Sequence, residues 1–311
     1  MADIYVPTEY ALTHKQFLAA EPNIEVLIGG QSDVKAALAP PLIDAAAFNY
    51  ADTGESPIES YFKLKHHLPR MPKLRVLIYS LSLPSFVGIR KERLYGRMYR
   101  RGQLSRADYP ALREIGVASP IRDHIGALLK FTGKPELFRM RQNLIRKLSR
   151  KSPLPPAKGE LVRGFRYQEG SKVEPRMALR MAEHHFKGDP LDPVLIDYFE
   201  QLLHLCRDNK VTVVTVSPPV TDIYLAAAEK YVTRADLFAA TVDNPRFDGL
   251  IHKHIDMTDM YATRYELFRD QNHMNASGAE LASRHVASVL GDLVHPEATG
   301  LTHPNVHNRQ R

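Results

Sequence analysis

Ser32 lies in the segment 29–33 (Gly-Gly-Gln-Ser-Asp), directly after the short apolar run 24–28. A serine at a strand-to-helix turn can attack a carbonyl carbon while backbone N–H groups of the turn bind the developing oxyanion. The alternative is a glycine turn in which Ser32 is only the N-cap of the next helix. A phosphate-binding loop is excluded because Gly-Lys-Ser/Thr is absent, and a nucleophile elbow is excluded because Val34 stands where its second glycine belongs.

A carboxylate and a histidine three residues apart, Asp270 and His273, stand near the far end of the sequence. At this spacing the carboxylate can bind one imidazole nitrogen and leave the other nitrogen to take a proton from a serine hydroxyl. The alternative is a surface turn with a solvated histidine. Together with Ser32, the pair supplies the side chains of a Ser-His-Asp triad.

Short apolar runs alternate with amphipathic stretches on both sides of a long central segment. This alternation predicts strand-helix-strand units and an α/β fold with a five-stranded parallel sheet. The predicted strands are 24–28, 45–50, 74–79, 211–216 and 250–255. The predicted helices are 33–38, 56–67, 193–207, 222–231 and 276–290. Asp192 and Pro193 suit the N-cap and the first position of the third of these helices.

The alternation stops after the third predicted strand, and residues 83–190 are predicted to form a long, mostly helical insertion. The α/β domain is then discontinuous, consisting of residues 1–82 and 191–295, and residues 296–311 form a flexible tail. Positive charge is concentrated around the insertion: residues 63–176 contain 27 Lys and Arg against 8 Asp and Glu, in a chain of net charge +7. This asymmetry indicates an anionic partner.

Aromatic and basic residues are mixed within the insertion at 95–101 (Tyr-Gly-Arg-Met-Tyr-Arg-Arg). Such a mixture is typical of surfaces that bind single-stranded nucleic acid. A run of charge is more often a solvated face, so specific nucleic-acid binding is not expected. We instead assign Arg97, Arg100 and Arg101 as candidate residues for binding an anionic substrate.

The single cysteine, Cys206, excludes a disulfide framework and a multi-cysteine zinc site, and we expect it to be buried. His252 and His254 could share one side of a strand, but no nearby cysteine or carboxylate pattern completes a metal site. The pairs 66–67 and 184–185 (His-His) are interpreted as residues of helix faces. We therefore expect no metal and no cofactor. Without a membrane-spanning apolar run or a secretory signal pattern, the sequence predicts a cytoplasmic protein, with peripheral membrane contact through the insertion left open.

The serine after the first strand and the Asp-x-x-His before the last helix together resemble the SGNH hydrolase superfamily, also called GDSL hydrolases. A further block, 49–56 (Asn-Tyr-Ala-Asp-Thr-Gly-Glu-Ser), is similar to the family's asparagine that is followed five residues later by glycine and an acidic residue. The resemblance implies a three-layer α/β/α flavodoxin-like domain and a triad of Ser32, His273 and Asp270. It also implies an oxyanion hole formed by the backbone N–H groups of Ser32 and Gly54.

The sequence departs from the family pattern at two places. Gln31 replaces the usual aspartate, which removes a buried carboxylate that braces the turn. The block Gly-x-Asn-Asp is missing after the third strand, and Ser80 or Ser82 is the candidate replacement for its oxyanion-binding asparagine. Loss of one such donor costs about 2.7–4 kcal/mol of transition-state stabilisation. This pattern is similar to the divergent branch that includes alginate O-acetyltransferase and the D-alanyl transfer protein of teichoic-acid synthesis, which are acyl transferases.

These observations lead to two hypotheses. In the first, the chain is a serine esterase or O-acyltransferase acting on an ester or thioester carbonyl, and the basic insertion recruits an anionic polymer, an acidic acyl carrier or a membrane surface. In the second, an SGNH-like protein has lost its chemistry and binds an anionic polymer, a membrane surface or an acidic partner. A distance above about 4 Å between Ser32 Oγ and His273 Nε2 would favour the second hypothesis, because a base must reach its proton.

Overall fold

The computed structural model of the chain describes residues 9–88, 94, 97–98, 103–117 and 160–293. In chain order its strands are β1 (Val26–Gly29), β2 (Ala47–Asn49), β3 (Val76–Ser80), β4 (Leu161–Val162), β5 (Phe165–Arg166), β6 (Thr212–Ser217) and β7 (Lys253–Asp256). The α-helices with described bounds are α1 (Glu9–Ala20), α2 (Ser32–Ala37), α3 (Pro57–His67), α4 (Tyr109–Glu114), α5 (Pro175–His185), α6 (Pro193–Asp208), α7 (Asp222–Ala228), α8 (Arg234–Ala240) and α9 (Ala276–Leu290).

Five of the strands form one parallel sheet in the order β2-β1-β3-β6-β7. Strand β2 pairs with one side of β1, and the next strand, β3, pairs with the other side of β1. The direction in which strands are added to the sheet therefore reverses between β1 and β3. In open parallel sheets a crevice forms at the carboxyl ends of the strands at such a reversal. Ser32, the first residue of α2, lies at this crevice.

Alternate residues of each central strand face two separate hydrophobic cores. In β3, Leu77 and Tyr79 contact the core that α3 and α6 cover, whereas Val76 and Ile78 contact the core under α2 and α9. All four side chains are buried. Helices therefore cover both faces of the sheet, and the predicted α/β fold with a five-stranded parallel sheet in a three-layer flavodoxin-like arrangement is confirmed.

Helix boundaries follow the capping residues that the sequence contains. The Asp192 side chain accepts a hydrogen bond from the N–H of Val194 at 2.9 Å, and Pro193 is the first residue of α6, as predicted. Asn275 caps α9 in the same way through the N–H of Gly278, at 3.1 Å. Strand boundaries differ from the predicted ones by one to three residues, because parallel pairing begins later than the apolar runs do.

Helix α1 is not predicted by the sequence pattern. It buries only Thr13 and Phe17, so it has no apolar stripe wide enough to be recognised. Phe17 stacks on Tyr50 with ring centroids 3.8 Å apart, close to the end of β2. Tertiary packing, rather than helical periodicity, therefore positions this helix.

The described part of the segment 83–190 packs onto the α/β domain. A hairpin of β4 and β5 lies beside the edge strand β2, where the N–H of Asn49 donates to the carbonyl of Arg163 at 2.9 Å. Helix α5 packs against α7. The prediction of a mostly helical insertion does not include this hairpin. Residues 118–159 of the predicted insertion and the predicted tail 296–311 lie outside the described residues.

Candidate active site

The turn between β1 and α2 places Ser32 at the carboxyl edge of the sheet. Gly30 has a φ of +113°, and a Cβ there would lie 2.5 Å from the Cβ of Ser80 at the end of β3. Only glycine allows the turn to approach β3 this closely. Gln31 occupies the N-cap position with extended backbone, and Ser32 is the first helical residue. The alternative in which Ser32 is the N-cap is therefore wrong.

A buried carboxylate braces this turn from the position after the serine. Asp33 accepts hydrogen bonds on Oδ1 from Ser80 Oγ at 2.8 Å and from the N–H of Val34 at 2.6 Å. Gln31, the residue before Ser32, instead donates a hydrogen bond to the carbonyl of Pro84 at 3.4 Å. The buried carboxylate that is missing at position 31 is thus provided by Asp33, two residues later in the chain.

The loop before α9 brings His273 to the serine. His273 Nε2 lies 2.9 Å from Ser32 Oγ, and His273 Nδ1 lies 2.8 Å from Asp270 Oδ1. The same carboxylate oxygen accepts the N–H groups of Asn272 and His273 at 3.3 and 3.1 Å. The three residues selected from the sequence therefore lie together, in the hydrogen-bonded order of a Ser-His-Asp triad.

The surroundings of Asp270 keep its carboxyl group charged. Burial raises its pKa, but the hydrogen bond and charge of His273, the charge of Arg269 and the N–H of Asn272 outweigh burial and lower the pKa to about 2. Arg269 approaches Oδ2 at 3.2 Å. A charged carboxylate requires a proton on Nδ1 of His273, so Nε2 of the neutral ring is free to accept the hydroxyl proton of Ser32.

Gly54 lies in a turn that Arg97 holds in place. Its φ of +62° is in the left-handed region that favours glycine. Arg97 donates to the carbonyl of Gly54 at 2.6 Å and to that of Thr53 at 3.3 Å, and it forms an ion pair with buried Glu59. Because C=O and N–H point in opposite directions across a trans peptide, the contact with Thr53 turns the Gly54 N–H away from Arg97.

The two serines expected to replace the missing asparagine have other partners. The Ser80 hydroxyl donates a hydrogen bond to Asp33 Oδ1. Ser82 lines a small cavity of about 20 Å³ together with Asp33, and its hydroxyl lies 3.1 Å from that of Ser85. The hydroxyl of Ser80 is therefore engaged by Asp33, and that of Ser82 lies against the hydroxyl of Ser85.

A cleft of about 610 Å³ opens beside Gln31, the residue before Ser32, and Ser32 itself is not among its lining residues. Gln31 and Gly54 line it on the sheet side, and His184, His185 and Lys187 line it from the end of α5 and the residues that follow. This volume is within the range of small-molecule sites, so the cleft can hold an acyl group with part of its carrier.

Of the three arginines predicted to bind an anionic substrate, the structure describes Arg97 alone. Arg97 lines the cleft, but its guanidinium is bound to Glu59 and to the carbonyl of Gly54. Arg100 and Arg101 lie outside the described residues.

His185 is a cleft residue that sequence reasoning misses. The pair 184–185 is consistent with a helix face, and no motif distinguishes its second histidine. In the structure His185 Nδ1 lies 2.6 Å from the hydroxyl of Tyr224 on α7. Only the packing of α5 against α7 creates this contact, so the sequence carries no local signal for it.

No second reactive site is formed by His252, His254 or Cys206 within the described ranges. In the described ranges no three His, Cys, Asp or Glu side chains are grouped so that they could hold a metal ion. His254 lies 2.9 Å from the hydroxyl of Thr215, and His252 is exposed. Cys206 is buried, as predicted, and burial raises the pKa of its thiol to about 12. This cysteine therefore remains a thiol at neutral pH and is a poor nucleophile.

Neither a known protein family nor a curated protein matches the chain. The reaction is therefore inferred from the geometry of the site. Among the helices in the described ranges, none is both long and apolar enough to cross a membrane.

Proposed function

We propose that the chain is an SGNH-type serine esterase or O-acyltransferase that acts on an ester or thioester carbonyl. The observation that carries this proposal is the 2.9 Å contact between Ser32 Oγ and His273 Nε2, with Asp270 2.8 Å from the other ring nitrogen. The competing hypothesis, a binding protein that has lost its chemistry, would be favoured by a separation above about 4 Å. The observed contact supports the enzyme.

In the proposed reaction Ser32 Oγ attacks the carbonyl carbon, and its proton moves to His273 Nε2. Asp270 stabilises the resulting imidazolium. The backbone N–H groups of Ser32 and Gly54 bind the oxyanion. When the tetrahedral intermediate collapses, the bond to the leaving alcohol or thiol breaks, and His273 returns the proton to that group.

The second half of the reaction removes the acyl group from Ser32. His273 takes a proton from the acceptor hydroxyl, whose oxygen attacks the acyl carbon, and then returns a proton to Ser32 Oγ as the ester bond breaks. Water as acceptor gives hydrolysis, and a sugar or polymer hydroxyl gives acyl transfer. Both outcomes use the same three residues.

An anionic acyl donor or acceptor fits the charge around the cleft. Exposed Lys187 lies among its lining residues, and the segment 63–176 is strongly basic. These charges favour an acidic acyl carrier, an anionic polymer or a membrane surface as the source of the substrate. A neutral ester is the appropriate probe of the chemistry alone, because it does not depend on that recognition.

Labelling with a fluorophosphonate tests the proposed nucleophile. We expect the wild-type protein to be phosphonylated at Ser32, mapped by peptide mass spectrometry, and Ser32→Ala to be unlabelled. The matched control is Ser277→Ala, which removes an exposed serine close to His273 and should leave labelling unchanged. Persistent labelling of Ser32→Ala at wild-type rate would contradict the proposal.

A further inference from the structure

The contact between His185 and Tyr224 determines which ring nitrogen of His185 carries the proton. Tyr224 is 1 % exposed, and within the described ranges His185 Nδ1 is the acceptor found for its hydroxyl, at 2.6 Å. A buried phenol that donated no hydrogen bond would incur a desolvation cost of about 1–3 kcal/mol. Tyr224 therefore donates to Nδ1, and the proton of the neutral imidazole is on Nε2.

His185 stays neutral at the pH where an ester would be cleaved. Burial lowers its pKa, and the charges of His273 and His184 lower it further, against the opposing charges of Asp33 and Asp270, to about 4. Burial also raises the pKa of Tyr224 well above the usual value, so its hydroxyl remains a donor. A neutral imidazole with a fixed tautomer is a hydrogen-bond donor that does not exchange protons with the substrate.

His185 lies at the cleft that the proposed oxyanion-binding turn of Gly54 also lines. The cleft is shared with Gln31, which precedes Ser32. Nδ1 is occupied by Tyr224, so Nε2–H is the ring group that remains for a molecule bound in the cleft.

We propose that His185 Nε2–H is the third donor of the oxyanion hole, beside the backbone N–H groups of Ser32 and Gly54. This role rests on the proposed acyl-transfer function. It also answers the question that the missing asparagine raises, because the Ser80 hydroxyl donates its hydrogen bond to Asp33. The donor thus comes from α5, in the segment that lies outside the predicted α/β domain, rather than from the end of β3.

Two substitutions separate the donor from the bulk of the side chain. His185→Gln places an amide N–H near the position of Nε2, whereas His185→Leu fills similar space without a donor. With p-nitrophenyl acetate we expect His185→Leu to lower kcat about 10²-fold or more, as for the loss of one oxyanion donor, with little change in KM. His185→Gln should recover at least about a tenth of the wild-type kcat. His252→Leu, which changes an exposed histidine away from the cleft, is the control expected to match the wild type.

The tautomer is measured independently of activity by nitrogen-15 NMR of the folded wild-type protein. We expect a protonated Nε2 and a bare Nδ1 at His185, and exchange between the two tautomers in Tyr224→Phe. A protonated Nδ1 in the wild type overturns the proposed role. Thermal unfolding of each variant confirms that kcat is compared between folded proteins.

The kinetic outcomes distinguish this role from the proposed function itself. If wild-type protein cleaves the ester and is labelled at Ser32 but His185→Leu has unchanged kcat, His185 is not an oxyanion donor. A raised KM at unchanged kcat also overturns the role, because it indicates binding of the substrate rather than of the transition state. A wild type that neither cleaves the ester nor is labelled at Ser32 overturns the proposed function and this role together.

Discussion

Ser32 Oγ and His273 Nε2 lie 2.9 Å apart although 241 positions separate them in the chain. Their strands are not neighbours, because β3 and β6 lie between β1 and β7. The contact is possible because α9 packs against α2 on one face of the sheet, with Ser283 Oγ accepting the N–H of Ala39 at 2.8 Å. The packing of α9 against α2 therefore brings His273, which precedes α9, next to Ser32, the first residue of α2.

The first prediction concerns the carboxylate of the triad. Asp270→Asn should lower kcat for a neutral ester by about 10³- to 10⁴-fold, because an amide neither stabilises the imidazolium nor fixes the tautomer of His273. Steady-state kinetics measure the change. Asp248→Asn, an exposed position away from the triad, is the matched control. A loss of less than about 10-fold would show that the contact between Asp270 and His273 does not support catalysis.

The second prediction separates bracing from oxyanion binding at Ser80. Ser80→Ala removes the hydrogen bond to buried Asp33 and should lower the free energy of unfolding by about 1–3 kcal/mol, measured by urea denaturation. Ser288→Ala, at an exposed site on α9, should change it by less than about 0.5 kcal/mol. A Ser80→Ala protein of unchanged stability whose kcat falls about 10²-fold would instead identify Ser80 as the oxyanion donor.

The third prediction concerns the arginine that holds the Gly54 turn. Arg97→Leu should lower kcat for a neutral ester about 10- to 100-fold, because the N–H of Gly54 loses its orientation, and should leave KM for that ester unchanged. Arg176→Leu, at an exposed site on α5, is the control. If Arg97 instead binds the substrate anion, as the sequence suggests, the variant will raise KM for an anionic ester and leave the neutral ester unaffected.

The fourth prediction is a loss of stability in mild acid. Burial lowers the pKa of His67 and of His185 from 6.5 to about 4, in His67 despite a 2.7 Å contact with Glu21. Between pH 6.5 and 4 the unfolded chain therefore binds more protons than the folded chain, and stability falls as the pH falls. Each histidine contributes at most on the order of 3 kcal/mol to this loss.

Urea denaturation at a series of pH values measures this dependence. His67→Asn keeps a donor near Nδ1 but does not titrate, so its stability should decline less steeply between pH 6.5 and 4.5. His252→Asn, at an exposed histidine, should retain the wild-type slope. An unchanged slope in His67→Asn would mean that His67 is not held neutral by burial.

The residues of the triad are predictable from the sequence because their signals are local. A glycine pair after an apolar run marks the turn before Ser32, and Asp270 and His273 belong to one short loop. Apolar alternation likewise indicates the parallel sheet, since buried strands and amphipathic helices have different periods. The order of these units then brings the two motifs to the same edge.

The supporting residues are not predictable because each depends on a neighbour that is distant in sequence. The brace formed by Asp33 requires knowing that the end of β3 lies beside the first turn. The contact between Arg97 and Gly54 joins residues 43 positions apart in the chain. His185 enters the cleft only because α5 packs on α7. A single sequence gives residue types and local spacing, and none of these three contacts is local.

The central claim is that Ser32 carries the acyl group during the reaction, and trapping that intermediate tests it most directly. The protein is mixed with p-nitrophenyl acetate, quenched in acid within the first turnover and digested for peptide mass spectrometry. We predict a burst of p-nitrophenol and an acetyl ester on Ser32 in the wild type, and neither in Ser32→Ala. An acetyl group on another residue, or turnover by Ser32→Ala at wild-type rate, would contradict the account.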